Sequence, residues 1–73
     1  MELEKILSIF SERLQDLIRS RNMNEKEFAK QIGFPQATVN SWTTKQRTAG
    51  IDKLYKIAIF FGVTTDYLLG LED

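Results

Sequence analysis

With 73 residues the chain is one domain at most, and a chain of this size buries only about 60% of its unfolded surface, so the core must be small. It contains no cysteine and no histidine, which excludes disulfides, thiolate zinc sites, and the commonest general base and metal ligand. Net charge is zero, which excludes a uniformly basic surface. The charge is unevenly placed, however: residues 35–56 hold Lys45, Arg47, Lys53 and Lys56 against Asp52 alone, whereas residues 57–73 hold only Asp66, Glu72 and Asp73. Positive charge therefore gathers in the middle of the chain. No apolar run approaches the roughly 20 residues of a membrane helix, and the start is acidic rather than basic as a signal peptide would be. The expected setting is cytoplasmic, with no membrane partner.

The pattern is helical throughout, with no period-two alternation. The first helix is expected to end near Arg21. Its inner stripe is Phe10, Leu14, Leu17 and Ile18, spaced as one helical face. Residues 1–9 form an apolar extension of that helix, in which Leu3, Ile6, Leu7 and Ile9 make more than one side apolar. Leu3, Leu7, Phe10, Leu14 and Leu17 also follow a 4-3 spacing, which suits either packing within the domain or pairing with a second chain.

The second helix is marked by Asn24 as its N-cap, with Glu27 three residues later completing a capping box. Met23 and Phe28 are placed for a hydrophobic staple. Phe28, Ala29 and Ile32 face inward, and Gly33 ends the helix where a left-handed residue is needed.

The stretch GFPQATVNSWTTKQR, residues 33–47, carries the only tryptophan. Pro35 suits a helix start, because the N–H it lacks would be unpaired there. At 100° per residue, Val39 and Trp42 lie about 60° apart on one side, and Gln36, Ala37, Asn40, Ser41 and Thr44 lie within an arc of about 140° on the other. The helix is thus anchored by two apolar residues and presents amides, hydroxyls and a methyl outward. A fourth helix follows over 51–61, with Ile51, Leu54, Ile57, Ala58 and Phe61 inward and Gly62 after it. Thr64 caps a short fifth helix through Leu69, closed by Gly70.

Phe28, Ala29, Gly33, Val39 and Trp42 resemble the packing positions of the helix-turn-helix in the Cro/phage-repressor-like (XRE) family. FSERLQDL at residues 10–17 looks like that family's first helix, and GVTTDYLLG at 62–70 like its characteristic end. The resemblance covers about residues 10–70. It implies an all-α, compact five-helix domain with a lambda-repressor-like fold, which binds operator DNA as a two-fold dimer. It also implies that the helix over 36–43 reads the major groove. Gln36, Ala37 and Ser41 match the family's base-reading positions, and Asn40 lies on the same face. A Gln or Asn amide pairs with adenine N6 and N7, and an Ala methyl meets a thymine methyl. Thr38, Thr44, Lys45 and Arg47 are the candidate phosphate contacts. Tyr55, Ile59 and Leu71 are candidate dimer contacts.

Three positions depart from the family pattern. Glu25 stands where Gln is frequent, and its carboxylate is placed to accept a hydrogen bond from Gln36. Pro35 stands where Ser or Thr is frequent. Thr43, Thr44, Lys45 and Gln46 replace Glu-Asn-Gly-Lys, so the turn after the third helix is expected to differ.

The reading that follows is a transcriptional regulator, a repressor of phage or mobile-element type, on a palindromic operator. No catalysis, metal, cofactor or small-molecule substrate is expected. The alternative is a protein-interaction module on the same fold, such as an anti-repressor, an antitoxin or an accessory subunit. Zero net charge, Glu25 and the apolar N-terminus motivate it.

Overall fold

A computed structural model describes residues 3–72. Five α-helices succeed one another: α1 (Leu3–Ser20), α2 (Glu25–Ile32), α3 (Gln36–Thr43), α4 (Ile51–Phe61) and α5 (Thr65–Leu68). Among the described residues there is no strand. Met1 and Glu2 of the expected extension, and Asp73, lie outside the described residues.

The caps set the helix boundaries. Glu27 donates its backbone N–H to the Asn24 side chain at 2.8 Å, and the Glu27 carboxylate accepts the Asn24 N–H at 2.9 Å. This is the capping box in full. Gly33 takes φ +89°, so its N–H and that of Phe34 both return to the Ala29 carbonyl. Pro35 is the N-cap of α3 rather than its first helical residue, with φ −60° and ψ 142°. Thr64 caps α5 by accepting the Tyr67 N–H at 3.0 Å.

One face of each helix supplies the core. Phe10, Leu14 and Ile18 come from α1, Phe28, Ala29 and Ile32 from α2, Val39 and Trp42 from α3, and Leu68 from α5; α4 adds Leu54, Ile57, Ala58 and Phe61. The aromatic rings interlock: Trp42 meets Phe10 and Phe34 edge-on at 6.1 and 5.6 Å, while Phe28 stacks on Phe61 at 5.3 Å. Such pairs add about 0.5–1.5 kcal/mol each beyond the area they bury. The Arg21 guanidinium lies 5.1 and 5.0 Å above Phe60 and Phe61, covering the open side of that cluster.

The apolar extension divides in two. Ile6, Leu7 and Ile9 are half-buried, continuous with α1, whereas Leu3 is exposed. Ile9 packs on the turn at Gly70, where φ is +80° and an added Cβ would come within 2.8 Å of the Ile9 side chain. Nearby, Arg13 reaches across from α1. Its guanidinium stacks 4.4 Å over the Tyr67 ring and donates to the carbonyls of Tyr67 and Glu72. From Phe10 onward, then, the 4-3 stripe is consumed by the domain's own core: Phe10 and Leu14 are fully buried and Leu17 packs against them.

Ile51 does not face inward; it is 89% exposed. It sits at the first position of α4, about 70° from the centre of the buried arc by helical geometry, and this first turn stands beyond the edge of the core. With Tyr55 and Ile59, both also exposed, it forms a stripe at i, i+4 and i+8 along one side of the helix.

Candidate nucleic-acid interface

The α2–turn–α3 unit presents the candidate readers on a fixed frame. Val39 and Trp42 are buried at 0% and 1% exposure, and Phe28 and Ala29 hold the facing side of α2. Gln36, Ala37 and Asn40 are exposed together on the opposite side, and Ser41 is half-buried beside them. The Ser41 hydroxyl donates to the Thr38 carbonyl at 2.6 Å. Its proton is therefore spent within the helix, and its oxygen faces any ligand as an acceptor.

The N-terminus of α3 is open. Pro35 offers no side-chain cap, so the first N–H groups of the helix have no side-chain acceptor, and such groups favour an anion. Of the candidate phosphate contacts, Thr38 is half-buried, while Thr44, Lys45 and Arg47 are exposed. The Thr44 hydroxyl is turned back onto the Asn40 carbonyl at 2.6 Å. Lys45 Nζ lies 3.7 Å from the Glu12 carboxylate, with both side chains largely in solvent. Such a pair is worth little and yields readily to a phosphate. Lys56, by contrast, lies over the Phe34 ring at 5.0 Å.

The turn after α3 closes as a Schellman motif on a non-glycine residue. Lys45 adopts φ +64°, the Gln46 N–H returns to the Ser41 carbonyl at 2.9 Å, and the Lys45 N–H bonds to that of Trp42. Lysine here occupies a left-handed position that glycine would fill more cheaply.

Glu25 does not accept from Gln36. Its Oε2 accepts from the Thr43 hydroxyl at 3.0 Å, at the other end of α3, because the first turn of α2 lies beside the last turn of α3. Two further residues went unnoticed in the sequence. Ser11 is fully buried, and its hydroxyl donates to the Thr43 carbonyl at 2.9 Å; the Gln15 amide donates to that same carbonyl at 3.0 Å. A hydroxyl on the inner stripe of α1 was the available signal for Ser11, but its partner lies 32 residues away.

The helix-turn-helix family model matches residues 14–68, spanning α2, α3, α4 and α5 completely. This chain belongs to the XRE family of helix-turn-helix proteins. Its five helices form the lambda-repressor-like arrangement of that family. Among relatives of this XRE domain, the uncharacterised HTH-type transcriptional regulator YobD of Bacillus subtilis (strain 168) is 26% identical over 65 residues, covering 89% of this chain and 58% of the relative. The HTH-type transcriptional activator BcrR of Enterococcus faecalis is 30% identical over 64 residues, covering 88% of this chain and 31% of the relative. The XRE domain therefore spans little more than half of the first relative and about a third of the second. No solved structure matches it at a significant level. Among the described residues no helix is long and apolar enough to cross a membrane.

Proposed function

We propose that this XRE domain is a sequence-specific DNA-binding transcriptional regulator that inserts α3 into the major groove of a palindromic operator as a cytoplasmic homodimer. The observation that carries the reading is α3 itself: Val39 and Trp42 anchor one side, and Gln36, Ala37, Asn40 and Ser41 form a polar arc on the other. Family membership and two relatives named as transcriptional regulators support the coarse function. Gln36 and Asn40 would pair with adenine, Ala37 would touch a thymine methyl, and Ser41 would accept from a base amino group. Thr38, Thr44, Lys45, Arg47 and the open N-terminus of α3 would hold phosphates. Repression by blocking a promoter is the direction we adopt; since one relative is named an activator, a reporter placed behind the selected operator decides it.

The testing experiment is selection from a random duplex library at two salt concentrations. A short palindrome, with affinity falling steeply as salt rises, supports the reading. No retention at low salt, together with capture of a protein partner, replaces it with the interaction module.

The stripe of Ile51, Tyr55 and Ile59 favours dimerisation through α4, with Leu71 exposed after α5. One half-site buries too little surface for tight binding, so two copies would span sites about 34 Å apart. Ile59→Lys should weaken the dimer at least tenfold and leave the fold intact, because the side chain is already in solvent. Sedimentation of both proteins at equal concentration checks this; an unchanged dimer moves the contact elsewhere, with Leu3 and the start of α1 next in line.

Lys45→Gly separates stability from binding. Relief of the left-handed lysine should stabilise the domain by about 0.5–1 kcal/mol. Loss of one cation should weaken all duplexes alike and reduce the salt slope by about one. Urea unfolding and binding titrations at several salt concentrations read the two effects independently.

A further inference from the structure

Thr43 is gripped from two sides. Its carbonyl, at the C-terminal end of α3, receives both Ser11 Oγ and Gln15 Nε2 from α1, and Gln15 Nε2 also donates to Ser11 Oγ at 2.9 Å. Its hydroxyl donates to Glu25 Oε2 at the start of α2, with the Asn40 carbonyl a longer alternative at 3.3 Å. The last carbonyls of a helix ordinarily turn to water; here the buried Ser11 and the half-buried Gln15 take that place. The other Glu25 oxygen, Oε1, is buried without a partner among the described residues, so the carboxylate depends on Thr43 for its charge-assisted bond.

From this arrangement we infer that Thr43 and Glu25 are positioning residues, which set the angle of α3 and hence its base selectivity without touching DNA. The inference rests on the proposed DNA-binding function. The helix has only eight residues, about 12 Å of length, and helices so short have little rigidity of their own. Val39 near its middle and Trp42 in its last turn hold one side of the helix, which leaves a roll about the helix's own axis as the freer motion. Selective readout needs side chains held within about 0.5 Å and 10–20°. The Thr43 clasp removes the rotation at the C-terminal end. Asn40 and Ser41 would respond most: the Asn40 carbonyl accepts from the Thr44 hydroxyl and backbone N–H, and the Ser41 carbonyl accepts from Gln46 and Arg47. Gln36, at the far end, would respond least. Beside the clasp lies an open recess of about 380 Å³ walled in part by Gln15, Ile18, Glu25 and Thr43, so the Glu25 carboxylate has room to withdraw from a methyl placed where the Thr43 hydroxyl stands, 3.0 Å away.

The test compares Thr43→Val, which removes only the donor, with Thr43→Ser, which restores it. Ile32→Val serves as a control of core stability away from the clasp. Amide exchange at residues 44–47 is read in the free protein, and base preference is read at each position of the selected half-site. The expected result is that T43V exchanges about tenfold faster at 44–47 than α4 does relative to wild type, as loss of one hydrogen bond to a charged group implies. Preference at the base pairs facing Asn40 and Ser41 falls about fivefold while that facing Gln36 is kept. T43S restores both, and Ile32→Val moves neither. Base preference unchanged in T43V while DNA is still bound overturns the positioning role alone. Retention of no duplex by the wild-type domain overturns the DNA-binding function itself, and unchanged exchange in T43V overturns the clasp.

Discussion

Replacing Trp42 with alanine should be the most destabilising single change in the chain, costing about 3–5 kcal/mol. The side chain is 1% exposed and meets Phe10 of α1 and Phe34 of the turn edge-on. Removing a buried Trp costs about 3–5 kcal/mol, the lost transfer energy plus the cavity left behind. A domain of this length has roughly 4–11 kcal/mol of stability in all, at about 0.05–0.15 kcal/mol per residue. The loss therefore consumes about a quarter or more of the total and reaches all of it at the low end, where the population unfolds. Since this is the only tryptophan, far-UV circular dichroism during urea titration replaces fluorescence as the measurement. Trp42→Phe should recover part of the loss, because a smaller ring keeps contact with Phe10. Wild-type stability in Trp42→Ala would mean that α3 is held by the Thr43 clasp and Val39 alone.

Gln36→Ala should leave stability nearly unchanged and remove about 1–3 kcal/mol of discrimination at a single base pair of each half-site. Gln36 is the first residue of α3 and exposed, so its truncation leaves no cavity. Because the side chain is neutral, the salt slope should stay the same, which distinguishes it from the change at Lys45. Competition among the four bases at each operator position measures this. Loss of affinity spread evenly over all positions would instead make Gln36 a phosphate contact.

Local chemistry made much of this fold legible. The capping box of Asn24 and Glu27, the left-handed Gly33 and the buried pair Val39 and Trp42 each depend on residues within a few positions of one another. They place α2, and α3 to within a residue at Pro35. What escaped depends on distance along the chain. Ser11 and Thr43 are 32 positions apart, and Arg13 and Tyr67 are 54 apart; no spacing rule joins such pairs. Periodicity assigned Ile51 to the inner side because it repeats with Leu54 and Ile57, but it does not know where the core stops. The left-handed Lys45 was hidden because lysine gives no sign of the conformation that its turn demands. Glu25 was seen as an exception, and its partner was sought at the wrong end of α3.

The clasp of Arg13 on Tyr67 and Glu72, with Ile9 seated on Gly70, joins α1 to the turn after α5, which is made later. At about 5–20 residues per second of synthesis, about 3–11 s separate the two halves of this contact. Throughout that interval the nascent chain carries Ile9 and Tyr67's future seat on α1 uncovered, whereas both α2 and α3 are made well before it ends. The residues of the helix-turn-helix can thus pair before the frame that steadies them is complete, and that frame closes only once the turn at Gly70 has been made.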